Sequence, residues 1–341
     1  MSESLPPERI RALRAEDPKA RARDFATRHG LSEAALVAAH VGHGAVAIDP
    51  HPDRLMPLIH DLGDVLALTR NESCVIEKRG TYVEYHSGNH AQMVLGPEID
   101  LRIFARHWLH AYAVAEGDKR SVQVFDAAGD AVHKVHLKPE SDVAAFERLV
   151  AALRLDDQAD TVTVTPRVPP EGAKGDPAKA ETLRAEWAEL TDTHQFLAMV
   201  SRLKMSRLGA YRMAGEPLAQ PLAPAAVQAL LEGAAAQQVP LMIFVGNMGC
   251  IEIHGGPVKD VVLMGPWVNV MDPRFNLHLR ADHIAEVWLV DKPTRHGAVL
   301  SVEAFDKDGA LIVQIFGSRK DGGIPEFNAL ARSLPRPAEV A

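Results

Sequence analysis

The chain has 341 residues, a formal net charge of −8 and a pI near 6.1. This acidic balance, without a basic stripe or interleaved aromatic residues, excludes a protein that binds the phosphate backbone of nucleic acids. No apolar run reaches the roughly 18 residues that a membrane span needs, and the first residues form no apolar signal core. We therefore expect a cytoplasmic protein without membrane insertion.

The length favours two domains rather than one. Prolines and glycines interrupt every periodic pattern between Thr161 and Lys179, which is typical of a linker. The sequence therefore predicts a first domain at residues 1–160, a linker at 161–179 and a second domain at 180–341.

The first half predicts helices, then short strands, then a closing helix. The helices are expected at Arg9–Ala15, Ala20–Arg28, Ser32–Val41, Asp53–Leu62 and Asp142–Leu155. The strands are expected at Val65–Leu68, Cys74–Glu77, Tyr82–Tyr85, Gln92–Leu95, Leu101–Phe104, His110–Val114, Ser121–Phe125 and Ala131–Leu137.

The second half predicts the same succession of elements. Helices are expected at Ala178–Leu190, Thr193–Met205, Ala223–Gln237 and Pro325–Leu334. Strands are expected at Leu241–Val245, Cys250–His254, Val261–Met264, Val268–Met271, Phe275–Leu279, Ala285–Val290, Val299–Phe305 and Leu311–Phe316. Because short turns join consecutive strands, antiparallel meanders are expected rather than crossover units.

The two halves also match each other residue by residue. Cys74 and Cys250 stand in similar segments 176 residues apart, and the same offset carries His107 onto His283. Further on, Ser121–Asp126 parallels Ser301–Asp306 at an offset of 180 residues. Matches in one order indicate a duplication, so the predicted class is α+β with two tandem repeats, each a large antiparallel sheet flanked by helices.

The segment Glu189–Arg207 predicts one helix. Thr191 or Asp192 can cap it, and Phe196, Val200 and Leu203 recur as one buried stripe. His194 would lie in its first turn, followed by the basic residues Arg202, Lys204 and Arg207. A histidine followed by basic residues suits an anionic ligand with a metal centre. A histidine near a helix start is, however, also commonly a helix cap or a polar group that is hydrogen-bonded within the protein.

Other possible metal sites are weaker. His107 with His110 and His86 with His90 have ligand-like spacings, but both pairs fall in predicted strands or turns and lack the neighbouring glutamate of a zinc helix motif. His278 and His283 leave open a second site in the second half. The cysteines are too few for a disulfide scaffold and are expected to be two buried small side chains.

Several segments resemble the bacterial cytoplasmic haem-utilisation proteins, the hemin-degrading factor or HemS/ChuS/PhuS group. The resemblance covers nearly the whole chain and includes the internal duplication. Its most specific parts are Thr191–Phe196, Phe244–Cys250, Asp100–Phe104, Phe275–Leu279 and Gln314–Arg319.

The resemblance implies one haem held by the second repeat, with His194 as the iron ligand. Arg102 from the first repeat would face the opposite side of the porphyrin and serve as the catalytic donor to an iron-bound water or dioxygen. Counting back from His194 by the repeat offset of 176 residues reaches Pro18, and no histidine stands there or in the following Lys19–Arg21, so one haem per chain is expected. The rest of the haem site would be lined by Arg207, Lys292, Arg319, Gln314, Phe316 and Phe244.

The resemblance implies a role in haem uptake and iron acquisition, but leaves the final step open. In an enzyme, bound haem would be degraded oxidatively to release iron, with an electron donor that the sequence does not identify. In a carrier, haem would pass to a separate haem oxygenase or apo-protein. A haem ABC importer is a further candidate partner, and a duplicated scaffold that binds no haem is the third hypothesis.

Overall fold

The computed structural model describes residues 5–338 and divides them into two compact units. Unit 1 comprises the described residues up to Arg70, then Glu77–Val168 and Gly246–Glu252. Unit 2 comprises Asn71–Ile76, Pro169–Val245 and the described residues from Ile253 onward. Each unit therefore includes one short segment from the opposite half of the sequence.

The first half of the chain contains five α-helices and nine strands among its described residues. In chain order they are α1 (Pro7–Glu16), α2 (Ala22–Arg28), α3 (Glu33–Ala38), β1 (Ala45–Ile48), α4 (Pro52–His60), β2 (Val65–Arg70), β3 (Cys74–Gly80), β4 (Tyr85–His86), β5 (Gln92–Leu95), β6 (Asp100–Ile103), β7 (His110–Glu116), β8 (Lys119–Phe125), β9 (Ala131–Leu137) and α5 (Val143–Leu153).

The second half contains five further helices and nine further strands among its described residues. They are α6 (Ala180–Ala188), α7 (Gln195–Arg202), α8 (Arg207–Ala214), β10 (Ala219–Leu222), α9 (Ala226–Gln237), β11 (Leu241–Gly246), β12 (Cys250–Gly256), β13 (Val261–Met264), β14 (Trp267–Asp272), β15 (Phe275–Arg280), β16 (Glu286–Lys292), β17 (Val299–Phe305), β18 (Leu311–Gly317) and α10 (Ile324–Arg332).

Unit 1 is built on antiparallel strands in the order β1-β7-β8-β9-β2. Strand side chains alternate between the two faces, and both faces are covered. One face packs with α4 and α5 in a core that includes Leu55, Ile59 and Phe146. The other packs with α3 through Ala34 and Phe125.

Unit 2 repeats this arrangement with strands in the order β10-β16-β17-β18-β11. One face packs against α9 and α10 in a core that includes Val302, Ile315 and Phe327. The opposite face packs against α6, α7 and α8 over part of its width, through Trp187, Phe305 and their neighbours. This second face carries most of the predicted site residues.

The predicted α+β fold with two tandem repeats is confirmed. Antiparallel register shifts occur at Val124/Phe125 in unit 1 and at Ala304/Phe305 in unit 2, 180 residues apart. His107 and His283 each end a short 3-10 turn. Both cysteines are buried and unpaired with each other, as expected. Within the described residues, no helix combines the length and apolarity needed to cross a bilayer.

The predicted single helix over Glu189–Arg207 is wrong. The α7 helix covers only Gln195–Arg202, because Lys204 takes a left-handed conformation with φ of 60° and ends it. Ser206 then caps a separate helix, α8, by accepting a hydrogen bond from the backbone of Gly209 at 3.1 Å. The buried stripe of Phe196, Val200 and Leu203 is confirmed.

Other differences concern short elements. The predicted strand Tyr82–Tyr85 is reduced to Tyr85–His86, since Glu84 has a positive φ of 53° that interrupts extended backbone. Strands β1 and β10 and helix α8 were not predicted. These three have four to eight residues each, too short for a clear periodic signal.

Candidate ligand-binding site

His194 occupies the N-cap position of α7 and is almost entirely exposed, with a relative side-chain accessibility of 95%. Its Nδ1 donates a hydrogen bond to Asp192 Oδ1 at 2.7 Å, and the same oxygen accepts from the His194 backbone N–H at 2.8 Å. These two bonds lower the pKa of Asp192. Because Nδ1 carries the proton, the neutral ring presents the lone pair of Nε2 to solvent.

The segment before α7 is held by backbone contacts. The Gln195 amide oxygen accepts from the backbone N–H groups of Thr191 at 2.9 Å and Asp192 at 3.2 Å. The Thr191 carbonyl in turn accepts from the Arg295 backbone N–H at 3.0 Å. The turn that carries His194 is therefore attached to the loop between β16 and β17.

The apolar face of α7 fixes the helix below His194. Phe196 packs edge-on against Trp187 with ring centroids 4.6 Å apart, and its ring also lies 5.6 Å from that of Tyr211. The Lys292 ammonium lies over the Phe196 ring at 4.9 Å from its centroid. Phe196 thus links the histidine turn directly to strand β16.

The basic residues after His194 do not form one cluster. Arg202 pairs with Glu186, and Lys204 is exposed at the break between the helices. Arg207 begins α8 and turns inward to the sheet, where its Nη1 donates to Glu303 Oε2 at 2.9 Å. Only Arg207 of these three therefore joins the other predicted site residues.

Two rows of side chains cross the face of unit 2 that carries the site. Directly paired residues of antiparallel strands place their side chains on the same face. The first row runs from β16 to β11 as Trp288, Glu303, Gln314 and Phe244, and the second as Val290, Ser301, Phe316 and Met242.

Glu303 lies at the centre of a buried ion cluster. Lys292 Nζ and Ser301 Oγ donate to its Oε1 at 2.7 and 2.8 Å. Arg207 Nη1 and Tyr211 OH donate to its Oε2 at 2.9 and 2.7 Å. Although burial opposes ionisation, the two cations and these bonds hold the pKa of Glu303 well below its usual range. The carboxylate is therefore ionised at any physiological pH.

The aromatic part of the face is more open. Helices α6 to α8 cover β16 and β17, whereas Phe244, Gln314 and Phe316 on β11 and β18 remain half-buried. Phe244 and Phe316 pack edge-to-face with centroids 5.1 Å apart. The result is an aromatic wall bordered by the Glu303 cluster.

The remaining two predicted residues, Arg319 and Arg102, are not among the donors to Glu303. Arg319 is exposed in the loop after β18, at the far end of the same strand as Gln314 and Phe316. Arg102 belongs to unit 1, where it lies on β6, pairs with Asp100 and donates to the Leu101 carbonyl at 3.0 Å. Its side chain is about one-third exposed.

Two of the other candidate histidines, His278 and His283, have hydrogen-bond partners. His278 Nδ1 lies 2.7 Å from Asn269 Oδ1, and His283 Nδ1 lies 3.0 Å from Ser73 Oγ. Burial lowers the pKa of both His107 and His110. Across residues 5–338, no group of three or more His, Cys, Asp or Glu side chains is arranged to hold a metal ion.

Three residues important to the site escaped sequence reasoning: Asp192, Tyr211 and Glu303. The spacing of Asp192 and His194, two residues apart, could have suggested the hydrogen bond between them. Glu303 stands at a buried position of a strand that is otherwise apolar except for Ser301, which also signals a paired charge. Tyr211 belongs to the helix that the sequence did not predict.

The chain matches the family model described as the haemin-degrading HemS.ChuX domain over residues 30–153 and again over 204–334. It is 36% identical to the hemin transport protein HmuS of Yersinia pestis over 98% of both chains. The chain belongs to the HemS/ChuX family.

Solved structures agree with this assignment. The holo form of PhuS, a heme-binding protein from Pseudomonas aeruginosa, is 43% identical, with a TM-score of 0.92 over 98% of this chain and 100% of that one. ChuS, an E. coli heme oxygenase, is 32% identical, with a TM-score of 0.85 over 95% of this chain and 99% of that one. The shared fold therefore extends over both repeats of this family member.

Proposed function

We propose that this protein binds one haem in unit 2 and serves the use of imported haem as an iron source in the cytoplasm. The family and the names of the HmuS and PhuS relatives support haem as the ligand. The observation that carries the proposal is His194: its Nδ1 is engaged by Asp192 and its Nε2 faces solvent. That is the state in which an imidazole ligates iron.

The residues of the sheet face fit the rest of the ligand. Haem is a flat apolar ring with two carboxylates, and Phe244 and Phe316 offer a half-buried aromatic wall to the ring. We assign the propionates to Arg207, Lys292 and Arg319, because guanidinium and ammonium groups bind carboxylates strongly. Gln314 adds a neutral hydrogen-bonding group beside Glu303.

Arg102 is proposed as the hydrogen-bond donor on the side of haem opposite His194, on the basis of the family resemblance. A guanidinium stays protonated at any working pH and cannot ligate iron through a lone pair. Its contact with Asp100 restrains the side chain on β6. Arg102 would act by donating a hydrogen bond.

We propose that the bound haem is degraded oxidatively to release iron. Haem itself supplies the oxygen chemistry, while the chain binds it, orients it and excludes water. The description of ChuS as a heme oxygenase supports degradation. The description of HmuS as a hemin transport protein supports a carrier that delivers haem to a separate oxygenase, with an importer as the preceding partner.

One spectroscopic experiment tests both. The apo-protein is titrated with hemin, then an electron donor is added under air in the presence of catalase, which removes the free peroxide that destroys haem without an enzyme. A saturable one-to-one Soret band followed by its loss and release of chelatable iron supports degradation. A band that survives reduction supports the carrier, and the absence of saturable binding contradicts the proposed function.

A further inference from the structure

Glu303 has no free group to offer a ligand. It is fully buried, and its two oxygens receive four hydrogen bonds from Arg207, Tyr211, Lys292 and Ser301. Both lone-pair regions of each oxygen are therefore directed at protein donors. The carboxylate can act on a bound molecule only through its neighbours.

The two cations around Glu303 keep part of their donor capacity. Arg207 uses Nη1 for Glu303 and retains a side-chain exposure of 21%. Lys292 divides its ammonium between Glu303 and the Tyr211 hydroxyl at 3.2 Å. With one carboxylate between two cations, the cluster carries one net positive charge; Arg207 is the partly exposed cation, whereas Lys292 is buried.

The first repeat lacks this arrangement. At the position equivalent to Glu303 stands Gln123, whose amide donates to Ser121 at 3.1 Å. The helix that corresponds to α8 begins with Glu33 after Ser32, where α8 begins with Arg207 after Ser206. Glu33 pairs there with Lys134 at 2.7 Å and with Arg70. The residue that begins this helix is thus acidic in the first repeat and basic in the second. Of the two repeats, only the second, which contains His194, has a carboxylate at the strand position of Glu303.

We propose that Glu303 is a positioning residue for haem: it holds Arg207 and Lys292 in the orientation in which they bind the propionates, without touching the haem itself. This inference rests on the proposed function. It predicts two opposing effects of Glu303 on the affinity for haem. The affinity gained by holding the two cations in place exceeds the affinity lost because Glu303 adds a negative charge to the site.

The direction in which Glu303→Gln changes the affinity for haem distinguishes a positioning role from a purely electrostatic one. Glu303→Gln removes a negative charge, so by Coulomb attraction alone the two carboxylates of hemin would be bound more tightly. If Glu303 positions the cations, haem binds more weakly in spite of the added positive charge. Loss of one well-oriented charged contact corresponds to about a tenfold increase in Kd.

The experiment compares Kd for hemin and for hemin dimethyl ester, whose propionates are uncharged, in the wild-type protein and in Glu303→Gln. The matched control is Glu286→Gln, because Glu286 on β16 pairs with Arg212 of the same helix α8 but is partly exposed. Tyr211→Phe removes one hydrogen bond to Glu303 without changing any charge, and serves if Glu303→Gln does not fold. Thermal unfolding is followed for every variant.

We expect about tenfold weaker binding of hemin to Glu303→Gln, about threefold weaker binding to Tyr211→Phe, and little change for the ester or the control. The Soret position should stay that of the wild type, since His194 is untouched. Tighter binding of hemin, or an equal loss for hemin and its ester, would overturn the positioning role. Failure of the wild-type protein to bind hemin would instead contradict the proposed function.

Discussion

Asp192 decides which nitrogen of His194 is available. Its carboxylate takes the proton-bearing Nδ1 at 2.7 Å, so the exposed Nε2 is left with the lone pair that a metal needs. The other N-cap histidine near an aspartate, His51, uses its Nδ1 differently, because it accepts the Asp53 backbone N–H at 3.3 Å. The two residues have similar sequence contexts, but only His194 lies in the unit with the aromatic wall.

Replacement of His194 by alanine should weaken hemin binding by about 100-fold or shift the Soret band to that of a different axial ligand, since the proposed iron–imidazole bond could not form. Absorption titration with hemin measures both effects. His51→Ala is the matched control and should bind hemin as the wild type does. Wild-type spectra and affinity in His194→Ala would show that His194 is not the ligand.

Arg102→Ala should leave the Kd for hemin within about threefold of the wild type, because an exposed hydrogen-bond donor adds little net affinity. It should change the visible spectrum of the ferric complex, since the variant removes the hydrogen-bond donor that we propose for the haem site. Arg106→Ala, in the turn that follows β6, provides the comparison. A spectrum identical to that of the wild type would argue against a role for Arg102 beside the iron.

At the scale of elements, the break between α7 and α8 brings the site together. In a continuous helix over Glu189–Arg207, the backbone of Arg207 would lie on the same axis as α7. The break instead allows α8 to start as a separate helix at Arg207, whose side chain reaches Glu303. The break depends on Lys204, whose φ of 60° is unfavourable for a residue with a Cβ atom. Because the Lys204 side chain is exposed, no packing contact requires a lysine at this position.

Lys204→Gly should therefore raise the free energy of unfolding by about 0.5–1 kcal/mol, because glycine adopts the left-handed conformation without steric cost. Chemical denaturation measures the change. Lys204→Ala removes the same long side chain but keeps the Cβ atom, so it should not stabilise the protein. Equal effects of the two substitutions would show that the backbone conformation at this position carries no cost.

At the scale of the whole molecule, the two repeats differ in the chemistry of their cores. In unit 1, His133 is buried between Thr69 Oγ1 at 2.8 Å and Tyr82 OH at 2.5 Å, and Glu252 lies 3.9 Å from its ring. Among the described residues, neither carboxylate oxygen of Glu252 has a hydrogen-bond partner. The equivalent positions in unit 2 are all apolar and buried: Val245, Val258, Val313 and Ile76.

Burial makes the polar core of unit 1 sensitive to pH. It raises the pKa of Glu252 to about 8 from an ordinary 4.5, so between these values the folded protein keeps a proton that the unfolded chain loses. The free energy of unfolding should therefore fall as pH rises through this window. Burial lowers the pKa of His133 to about 3 and that of His136 to about 4, so the contribution of these histidines to stability falls as pH drops below about 6.5. Between pH 4.5 and 6.5 this fall opposes the contribution of Glu252, so the net loss on the acid side is expected below about pH 4.5.

Glu252→Ile, which copies Ile76 of the other repeat, should remove the loss of stability on the alkaline side and stabilise the protein by about 1–3 kcal/mol at pH 8. The acid-side loss attributed to His133 and His136 should persist, which provides an internal control. Denaturation curves across this pH range test the prediction, and Glu232→Gln on an exposed helix surface controls for charge. An unchanged alkaline slope would show that Glu252 is not the titrating group.

Sequence alone was sufficient for the features that depend on local pattern or on similarity. Alternating strands, amphipathic helices and the offset of 176 residues between Cys74 and Cys250 predicted the duplicated α+β fold, which the structure confirms. Five segments in order along the chain, Thr191–Phe196 among them, indicated the family, to which the chain belongs. The amino-acid composition also gives the net charge of −8 directly.

Only the tertiary structure decided how distant charges combine. Arg207 and Glu303 are 96 residues apart, and nothing in either segment shows that they meet at 2.9 Å beside Lys292. The end of α7 at Lys204 depends on a backbone conformation that helix propensity does not record, since lysine is a good helix former. Local backbone preferences can be recognised from neighbouring residues in the sequence. Burial and ion pairs form only when separate strands and helices pack together, so the partners of a buried charge can be identified only in the folded structure.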